Sequence, residues 1–360
     1  MAAAPLISVV LPVFNAQVYV EEALRSILRQ TFADFELIII NDGSTDGTLA
    51  ALKSAVSNDS RVVLISRENR GLVASLNEGI SVARGLWIAR MDADDIAEPT
   101  RFERQLDWLG KTKADICGAW VILFDSSNSR LLRHPSSDAA IRAELLFGAP
   151  FAHPTVMMKA SLAKQLPYDS AWEKCEDYDL WERAAQAGWQ MTNIPEVLLS
   201  YRQHQSQISN VSAIYQQQLS QKIRYRYWEY FLKSKGIAGT TAVNEVMKLS
   251  EPIPMAVDME QVDHTFFTLL AATQSEEREI IFFHMTKLYL RGASDCPSMI
   301  LRWSRLHKKY GQERGLVVKI QIATLSLFRI RIDSTVGRKI KKIYLYLESA
   351  FRSYDRVHRL

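Results

Sequence analysis

The sequence predicts an α/β fold in which a mostly parallel sheet is flanked by helices, followed by a helical C-terminal region. Between residues 6 and 133, short β-branched apolar runs alternate with segments of helical periodicity, as is typical of βαβ units and parallel sheets. Near-continuous apolar runs, such as residues 37–40, fit strands buried on both faces of such a sheet. After about Ile214 the pattern changes to long amphipathic helices, so we expect two domains, residues 1–213 and 214–360.

The elements of the first domain follow in a regular order. The predicted strands are ISVVLPVF, ELIIIND, RVVLIS and LWIARMDADD, and the intervening helical patterns are VYVEEALRSILRQ, TLAALKSAV and LVASLNEGISVARG. Further along the chain, residues 176–187 have a helical pattern that Gly188 terminates. The second domain contains the helical patterns KIRYRYWEYFLKSKG, EREIIFFHMTKLYLRG and VGRKIKKIYLYLESAFRSYDRVHRL.

Composition excludes several classes of protein. The chain has 360 residues, of which 48% are hydrophobic and 23% charged, so it is neither disordered nor low in complexity. Its three scattered cysteines lack metal-binding spacing and favour a reducing cytoplasm. We expect no signal peptide and no membrane span, because no apolar run has the required flanks or length.

Charge is distributed unevenly along the chain. Residues 301–360 hold 15 Lys and Arg against 4 Asp and Glu, a net charge of +11, whereas residues 1–300 carry a net charge of −7. Near the C-terminus, a basic amphipathic helix either lies on an anionic membrane surface or packs its apolar face against protein. Its basic residues are Arg338, Lys339, Lys341 and Lys342, and its apolar ones include Ile340, Tyr344 and Leu347.

Acidic residues follow two of the predicted strands. Ligands bind beyond the carboxyl ends of the strands in such sheets, and Asp42 stands where a strand breaks into a turn, so its carboxylate can accept an N–H from a ligand. Ser44 and Asp46, in the same turn, serve equally well as caps of the next helix.

The second acidic end contains Asp92, Asp94 and Asp95. Residues two apart on an extended chain point the same way, so Asp92 and Asp94 can face one site. Three carboxylates in four residues repel one another unless a cation compensates, and oxygen ligands suit Mg²⁺ or Mn²⁺ bound together with a substrate diphosphate. The alternative is a solvated acidic turn.

Further candidate residues lie between positions 150 and 205. Asp177 falls in the first turn of its predicted helix, where the helix dipole favours an ionised carboxylate that can act as a general base, unless Glu176 and Asp177 are ordinary first-turn acids. His204 is either a nitrogen ligand of the same metal or an ordinary surface or core histidine. His153 has the same ambiguity. Arg67 and Arg70 either face phosphates or are solvated.

Taken in order, these segments resemble glycosyltransferase family 2, the inverting enzymes with the Rossmann-like GT-A fold. The resemblance covers roughly residues 6–210. It rests on the segments VVLPVFNA, ELIIINDGSTDGT, NRGLVASLNEGISVARG, MDADD, HPTVMM, EDYDLWERA and YRQHQSQIS.

The resemblance implies a nucleoside-diphosphate sugar donor, most often a UDP-sugar, and a divalent metal, Mn²⁺ or Mg²⁺. Pro12 and Phe14 would lie near the base and Asp42 would hydrogen-bond it. Asp92 would face the ribose or the metal, Asp94 would be the principal metal ligand, His204 a metal ligand or a diphosphate contact, and Asp177 the base. Arg70 is a candidate for donor binding, and Glu176, His153 and Asp95 are further candidates. An α-linked donor would give a β-linkage.

The resemblance also implies a place in the cell. The most similar motif sets belong to bacterial enzymes that build lipopolysaccharide or other cell-surface polysaccharide, so we expect a glycan or lipid-linked glycan acceptor. The enzyme would be cytoplasmic, with the basic helix in peripheral contact with the inner face of the membrane, and either a monomer or a homodimer.

Two other classes compete with this interpretation. A nucleotidyltransferase that makes sugar nucleotides also uses a doubly wound sheet and acidic metal ligands, but VVLPVFNAQ lacks its glycine-rich basic loop. An inactive or nucleic-acid-binding scaffold would use the basic, aromatic-bearing tail. We expect no nucleic-acid partner, because Tyr225, Tyr227 and Trp228 recur at the spacing of a buried helix face.

Overall fold

The computed structural model describes residues 4–56, 59–204, 213–237, 241–249, 257–296, 298–311, 315–332 and 334–342. The contact map divides the chain into two compact units, Met1–Arg224 and Tyr225–Leu360. The boundary between these units, at residues 224 and 225, reflects compactness alone. The predicted division into domains, between residues 213 and 214, stays a prediction.

The first unit is built on one mixed sheet. Nine strands occur among its described residues: β1 (Ile7–Val13), β2 (Phe35–Asp42), β3 (Val62–Arg67), β4 (Trp87–Arg90), β5 (Ile96–Ala97), β6 (Ile116–Phe124), β7 (Ser129–Leu132), β8 (Met157–Lys159) and β9 (Met191–Arg202). Seven helices accompany them in the same residues: α1 (Val20–Leu28), α2 (Thr48–Val56), α3 (Leu72–Val82), α4 (Arg101–Thr112), α5 (Asp138–Glu144), α6 (Ala160–Gln165) and α7 (Glu176–Gln186). The predicted α/β class and its flanking helices are confirmed.

Strand order separates a parallel half from a mixed half. The order is β3-β2-β1-β4-β8-β6-β9-β5, with β7 paired to β6. Strands β1 to β4 are parallel to one another, as the alternation of strands and helices predicts, and every residue of β1 and β2 is buried. Strand β8 runs antiparallel between β4 and β6, and β9 runs parallel to β6 with irregular register near Trp120. The sequence pattern did not indicate this antiparallel insertion, because strand direction there depends on long connections.

The second unit is helical in its described part, as the sequence predicts. Helix α8 (Ala213–Ser234) enters it, followed by α9 (Thr241–Leu249), α10 (Met259–Ala272), α11 (Ser275–Gly292), α12 (Met299–Tyr310) and α13 (Gly315–Leu327). Residues 335–342 are also helical and carry exposed Arg338, Lys339, Lys341 and Lys342, whereas Tyr344 and Leu347 lie outside the described residues. Of the helices described, none combines the length and apolar character needed to cross a membrane.

Candidate active site

The parallel strands bring the predicted donor-binding residues to one edge of the sheet. Strands β1 to β4 end there at Val13, Asp42, Arg67 and Arg90. Because carboxyl ends of parallel strands share an edge, this edge is where an α/β sheet binds ligands. Pro12 is buried within β1, whereas the ring of Phe14, one residue beyond the strand, is 51% exposed. Phe14 therefore offers an aromatic face beside the strand ends.

Asp42 is buried and holds the loop that follows β3. Its Oδ1 accepts hydrogen bonds from the backbone N–H of Arg70 at 2.8 Å and from the guanidinium of Arg67, and its Oδ2 accepts one from the N–H of Gly71 at 2.9 Å. These contacts make Asp42 the organiser of the loop between β3 and α3. Its hydrogen bond to a nucleotide base stays a prediction, and so does donor binding by Arg70, which lies exposed on this loop.

The turn after Asp42 requires glycine. Gly43 has φ +70°, in the left-handed region, and a Cβ there would lie 2.5 Å from the backbone N of Asn69. Asn69 in turn donates from Nδ2 to the carbonyl of Asp42 at 2.9 Å. The turns after β2 and β3 are thus in direct backbone contact, which only a residue without a side chain permits.

The loop between β4 and β5 gathers three carboxylates. One oxygen from each of Asp92, Asp94 and Asp95 lies within 4.8 Å of the others, and within the described ranges this is the one such group of three or more acidic, histidine or cysteine side chains. Asp95 is fully buried and its Oδ2 has no hydrogen-bond partner. The predicted convergence of Asp92 and Asp94 is therefore observed, and Asp95 joins them.

The electrostatics of this acidic loop are unbalanced. Burial, followed by the charges of Asp92 and Asp94, raises the pKa of Asp95 well above its ordinary value. Burial also raises the pKa of Asp92, while the guanidinium of Arg90, which forms an ion pair with it, opposes that rise. Raised carboxyl pKa values mean that the positive charge nearby does not fully offset the negative charge of the ionised cluster. A bound cation would supply the missing positive charge.

His204 reaches the acidic loop from the end of β9. Its Nε2 lies 2.8 Å from Oδ2 of Asp94, so the two residues predicted to share a metal are in contact. Next to them opens a cavity of about 760 Å³, a volume in the range of small-molecule sites. Its lining residues are Tyr19, Phe124, Asp125, Ser126, Ser127, Arg202, Gln203 and His204.

Asp177 and Glu176 begin α7, as the sequence predicts. Oδ1 of Asp177 accepts the N–H of Tyr178 at 2.7 Å. Burial raises the pKa of Asp177, whereas that hydrogen bond and the charge of Arg90 lower it. Burial and the neighbouring Asp177 charge raise the pKa of Glu176 to about 7. Arg90 and backbone hydrogen bonds lower the pKa of both carboxyls, and the role of Asp177 as the base stays a prediction.

His153 has a structural environment. It is 9% exposed, and its Nε2 lies 2.7 Å from the hydroxyl of Tyr168. Its ring also packs edge-on against Trp181. Burial, together with the charge of Arg90, lowers the pKa of His153 well below its ordinary value. The contacts described for His153 are with Tyr168 and Trp181, and none of them is with the acidic loop.

Two arginines of the site were not singled out by the sequence. Arg90 is 3% exposed at the end of β4, pairs with Asp92, and its charge also acts on Asp177. Arg202, at the end of β9, hydrogen-bonds the acidic loop. The available signal was position: each arginine precedes a candidate residue, Asp92 or His204, by two places, so both side chains of each pair project to one side of an extended chain.

The acidic loop fits a divalent cation. The available donors are the carboxylates of Asp92, Asp94 and Asp95, of which Asp95 has an unpartnered buried oxygen, and the imidazole of His204 beside Asp94. Oxygen-rich sets of this kind suit Mg²⁺ and Mn²⁺, and Mn²⁺ also accepts imidazole nitrogen. The predicted metal residues, Asp94 and His204, are therefore placed where they can serve that role.

The raised pKa of Glu176 predicts a pH-dependent stability. Its carboxyl titrates near its ordinary value of 4.5 when unfolded and at about 7 when folded. Between these values the folded protein retains a proton that the unfolded chain has lost, so stability falls as pH rises through this window. Glu176→Gln removes this loss. At pH 8 we expect the free energy of unfolding of the variant to exceed that of wild type by on the order of 2 kcal/mol, seen as a higher urea midpoint, and the difference to shrink toward pH 5.

The matched control is Glu173→Gln, an exposed glutamate three residues earlier. Its urea midpoint should follow wild type at every pH. A constant difference between Glu176→Gln and wild type from pH 5 to pH 8 would show that Glu176 titrates normally in the folded protein.

Comparisons of sequence place the chain among glycosyltransferases. Residues 8–166 match the family described as glycosyl transferase family 2. The chain is 32% identical to an uncharacterized glycosyltransferase of Haemophilus influenzae, over 65% of this chain and 76% of that protein. It is 33% identical to the O-antigen biosynthesis glycosyltransferase WbnJ of Escherichia coli, over 64% of this chain and 91% of WbnJ.

Comparisons of structure agree on the fold. Staphylococcus aureus TarS 1–349 in complex with UDP-GlcNAc superposes with a TM-score of 0.50 at 13% identity, over 89% of this chain and 90% of that one. The mannosyltransferase PcManGT from Pyrobaculum calidifontis, in complex with GDP-Man and Mn²⁺, gives a TM-score of 0.50 at 14% identity, over 97% and 86% of the two chains.

Proposed function

The chain belongs to glycosyltransferase family 2 and has the GT-A fold, and from this we propose the reaction that it catalyses. The enzyme transfers a sugar, with inversion, from a nucleoside-diphosphate sugar to a hydroxyl of a glycan or lipid-linked glycan. A UDP-sugar is the preferred donor. Family membership removes the competing nucleotidyltransferase interpretation.

The observation that carries the proposal is the meeting of two acidic groups around one buried arginine. Arg90 pairs with Asp92 of the acidic loop, and its charge also lowers the pKa of Asp177 at the start of α7. A carboxylate cluster that can bind a diphosphate-linked cation therefore lies within electrostatic reach of a carboxylate that can accept a proton. The inverting transfer proposed here uses both.

In the proposed reaction, Asp177 takes the proton of the acceptor hydroxyl. The resulting oxygen attacks the anomeric carbon on the face opposite the leaving group, forming the new C–O bond while the bond to the diphosphate oxygen breaks. The nucleoside diphosphate leaves with the bonding electrons, and the configuration at the anomeric carbon inverts. The raised pKa of Asp177 makes it a stronger base than an exposed aspartate.

Asp94 and His204, with Asp92 and Asp95 beside them, would hold a divalent cation. When bound, such a cation supplies positive charge that stabilises the leaving diphosphate. In support, the structure of PcManGT is in complex with GDP-Man and Mn²⁺. For the nucleoside, we assign contacts with the nucleobase to Pro12 and Phe14 and a hydrogen bond to it to Asp42, with Arg70 also binding the donor.

The relatives support the proposed acceptor and location. WbnJ is an O-antigen biosynthesis enzyme, and TarS was solved with UDP-GlcNAc. We therefore assign this enzyme to cell-surface polysaccharide synthesis in the cytoplasm, with the exposed basic residues of 335–342 touching anionic membrane.

Flotation with anionic vesicles, absent with neutral ones, would support this contact, and equal flotation or none would refute it. A homodimer stays a prediction.

Calorimetric titration with nucleotides tests the proposed function. Wild-type protein is titrated with UDP, GDP, dTDP and CDP, with Mn²⁺ and with EDTA. We expect one nucleotide to bind at least ten times more tightly with Mn²⁺ than without, which would also identify the donor class. Failure of all four to bind in either condition would contradict a nucleotide-sugar donor.

A further inference from the structure

We propose that Arg202 is a positioning residue that fixes the acidic loop and His204 in the geometry needed to bind a divalent cation. The proposal rests on the proposed function, because it concerns the cation that the acidic loop would hold. It deepens that function by adding a residue that neither the sequence motifs nor the family match assigns a role.

Arg202 holds the acidic loop from two sides. Its backbone N–H donates to Oδ1 of Asp95 at 2.9 Å, and its side-chain Nε donates to the carbonyl of Asp94 at 2.9 Å. Two residues later, Nε2 of His204 contacts the carboxylate of Asp94 at 2.8 Å. The end of β9 thus touches both the main chain and the side chain of Asp94, which restricts the directions in which that carboxylate can point.

The guanidinium of Arg202 is itself held firmly. It lies between two aromatic rings, 4.8 Å from the centroid of Tyr19 and 4.7 Å from that of Phe124. Its Nη2 donates to the carboxylate of Glu22 in the first turn of α1 at 2.5 Å. A planar guanidinium that is stacked on two rings and hydrogen-bonded at both ends has few alternative rotamers. The loop it contacts is therefore tied to α1 and β6 as well as to β9.

The direction of the change in cation affinity distinguishes a positioning role of Arg202 from an effect of its charge. Arg202 is a cation next to the acidic loop, so by Coulomb's law alone its removal should make a divalent cation bind more tightly. If the side chain of Arg202 acts by orienting Asp94 and, with it, the contact between Asp94 and His204, its removal should instead weaken binding, by about 10- to 100-fold, the usual cost of losing a residue that orients metal ligands. The backbone hydrogen bond to Asp95 remains in every variant.

The test measures the affinity for Mn²⁺ alone, by electron paramagnetic resonance of the free ion at constant ionic strength. The variants are Arg202→Met and Arg202→Lys. We expect both to weaken Mn²⁺ binding at least tenfold relative to wild type, because lysine keeps the charge but has neither the forked donors nor the planar face. Unchanged or tighter binding in Arg202→Met, or wild-type affinity in Arg202→Lys, would overturn the proposal.

Two further variants guard against misfolding. Phe124→Leu leaves the hydrogen bonds of Arg202 but removes one stacked ring, and should weaken Mn²⁺ binding by a smaller factor of about three. Arg104→Lys changes an exposed arginine of α4 that pairs with Glu196 of β9, and it should keep wild-type affinity. If Arg202→Met does not fold, judged by circular dichroism, Arg202→Lys and Phe124→Leu decide, and wild-type affinity in both counts against the proposal.

Wild-type protein separates this proposal from the proposed function. Absence of Mn²⁺ binding in the wild type refutes the metal site itself. Binding in the wild type that is unchanged in the Arg202 variants refutes only the positioning role.

Discussion

Asp94→Ala is expected to abolish the Mn²⁺-dependent part of nucleoside diphosphate binding. Asp94 supplies one of three converging carboxylates and is also the group that His204 contacts. Its removal therefore deletes one ligand and releases another. We expect the affinity measured with Mn²⁺ to fall by about 100-fold, roughly 3 kcal/mol, to the level that wild type shows with EDTA, and turnover to fall to background.

Asp107→Ala is the matched control, since Asp107 is an exposed aspartate on the neighbouring helix α4. It should bind nucleotide and Mn²⁺ as wild type does. If Asp94→Ala kept the Mn²⁺ dependence of the wild type, the cation would have to be held by other groups, and the assignment of Asp94 and His204 would be wrong.

Asp177→Asn is expected to separate binding from chemistry. An amide has nearly the same shape as the carboxylate, and its oxygen can still accept the N–H of Tyr178 that Asp177 accepts at 2.7 Å. It cannot take a proton from a hydroxyl. Nucleotide affinity should therefore stay within about twofold of wild type, while turnover, measured as release of the nucleoside diphosphate, falls by about 100- to 10,000-fold.

Asp179→Asn tests whether the loss of turnover in Asp177→Asn comes from a disturbed helix α7 rather than from the loss of proton transfer. Asp179 is fully buried one half-turn further along α7, where its carboxylate pairs with Arg183. We expect this variant to unfold at lower temperature but to keep its turnover per folded molecule. Turnover by Asp177→Asn close to that of wild type would place the base elsewhere, with Glu176 as the next group to substitute.

Much of the candidate site could be predicted because it is encoded locally. The acidic run of Asp92, Asp94 and Asp95 directly follows a strand, and Glu176 and Asp177 are the first two residues of a helix that ends before Gly188. In both places the chemistry and the secondary structure come from the same few residues. Strand periodicity, turn residues and first-turn acids depend on neighbours in sequence, so the sequence alone indicates them.

Asp42 shows where local reasoning stops. Its place at the end of β2 is confirmed, but its partners come from the loop after β3, about 28 residues later. Nothing near Asp42 in the sequence indicates that its oxygens accept the N–H groups of Arg70 and Gly71. A buried carboxylate must find donors, and which donors it finds depends on the backbone that packs against it.

The sequence by itself determined the α/β class, the succession of the first four strands along the chain and the chemical groups available at their ends. Only the tertiary structure decided which of these groups meet. His204 contacts Asp94 across 110 residues, and Arg202 reaches Asp95 across 107, because β9 runs parallel to β6 and ends beside the acidic loop. Such contacts depend on the pairing of distant strands, and local periodicity contains no information about which strands become neighbours.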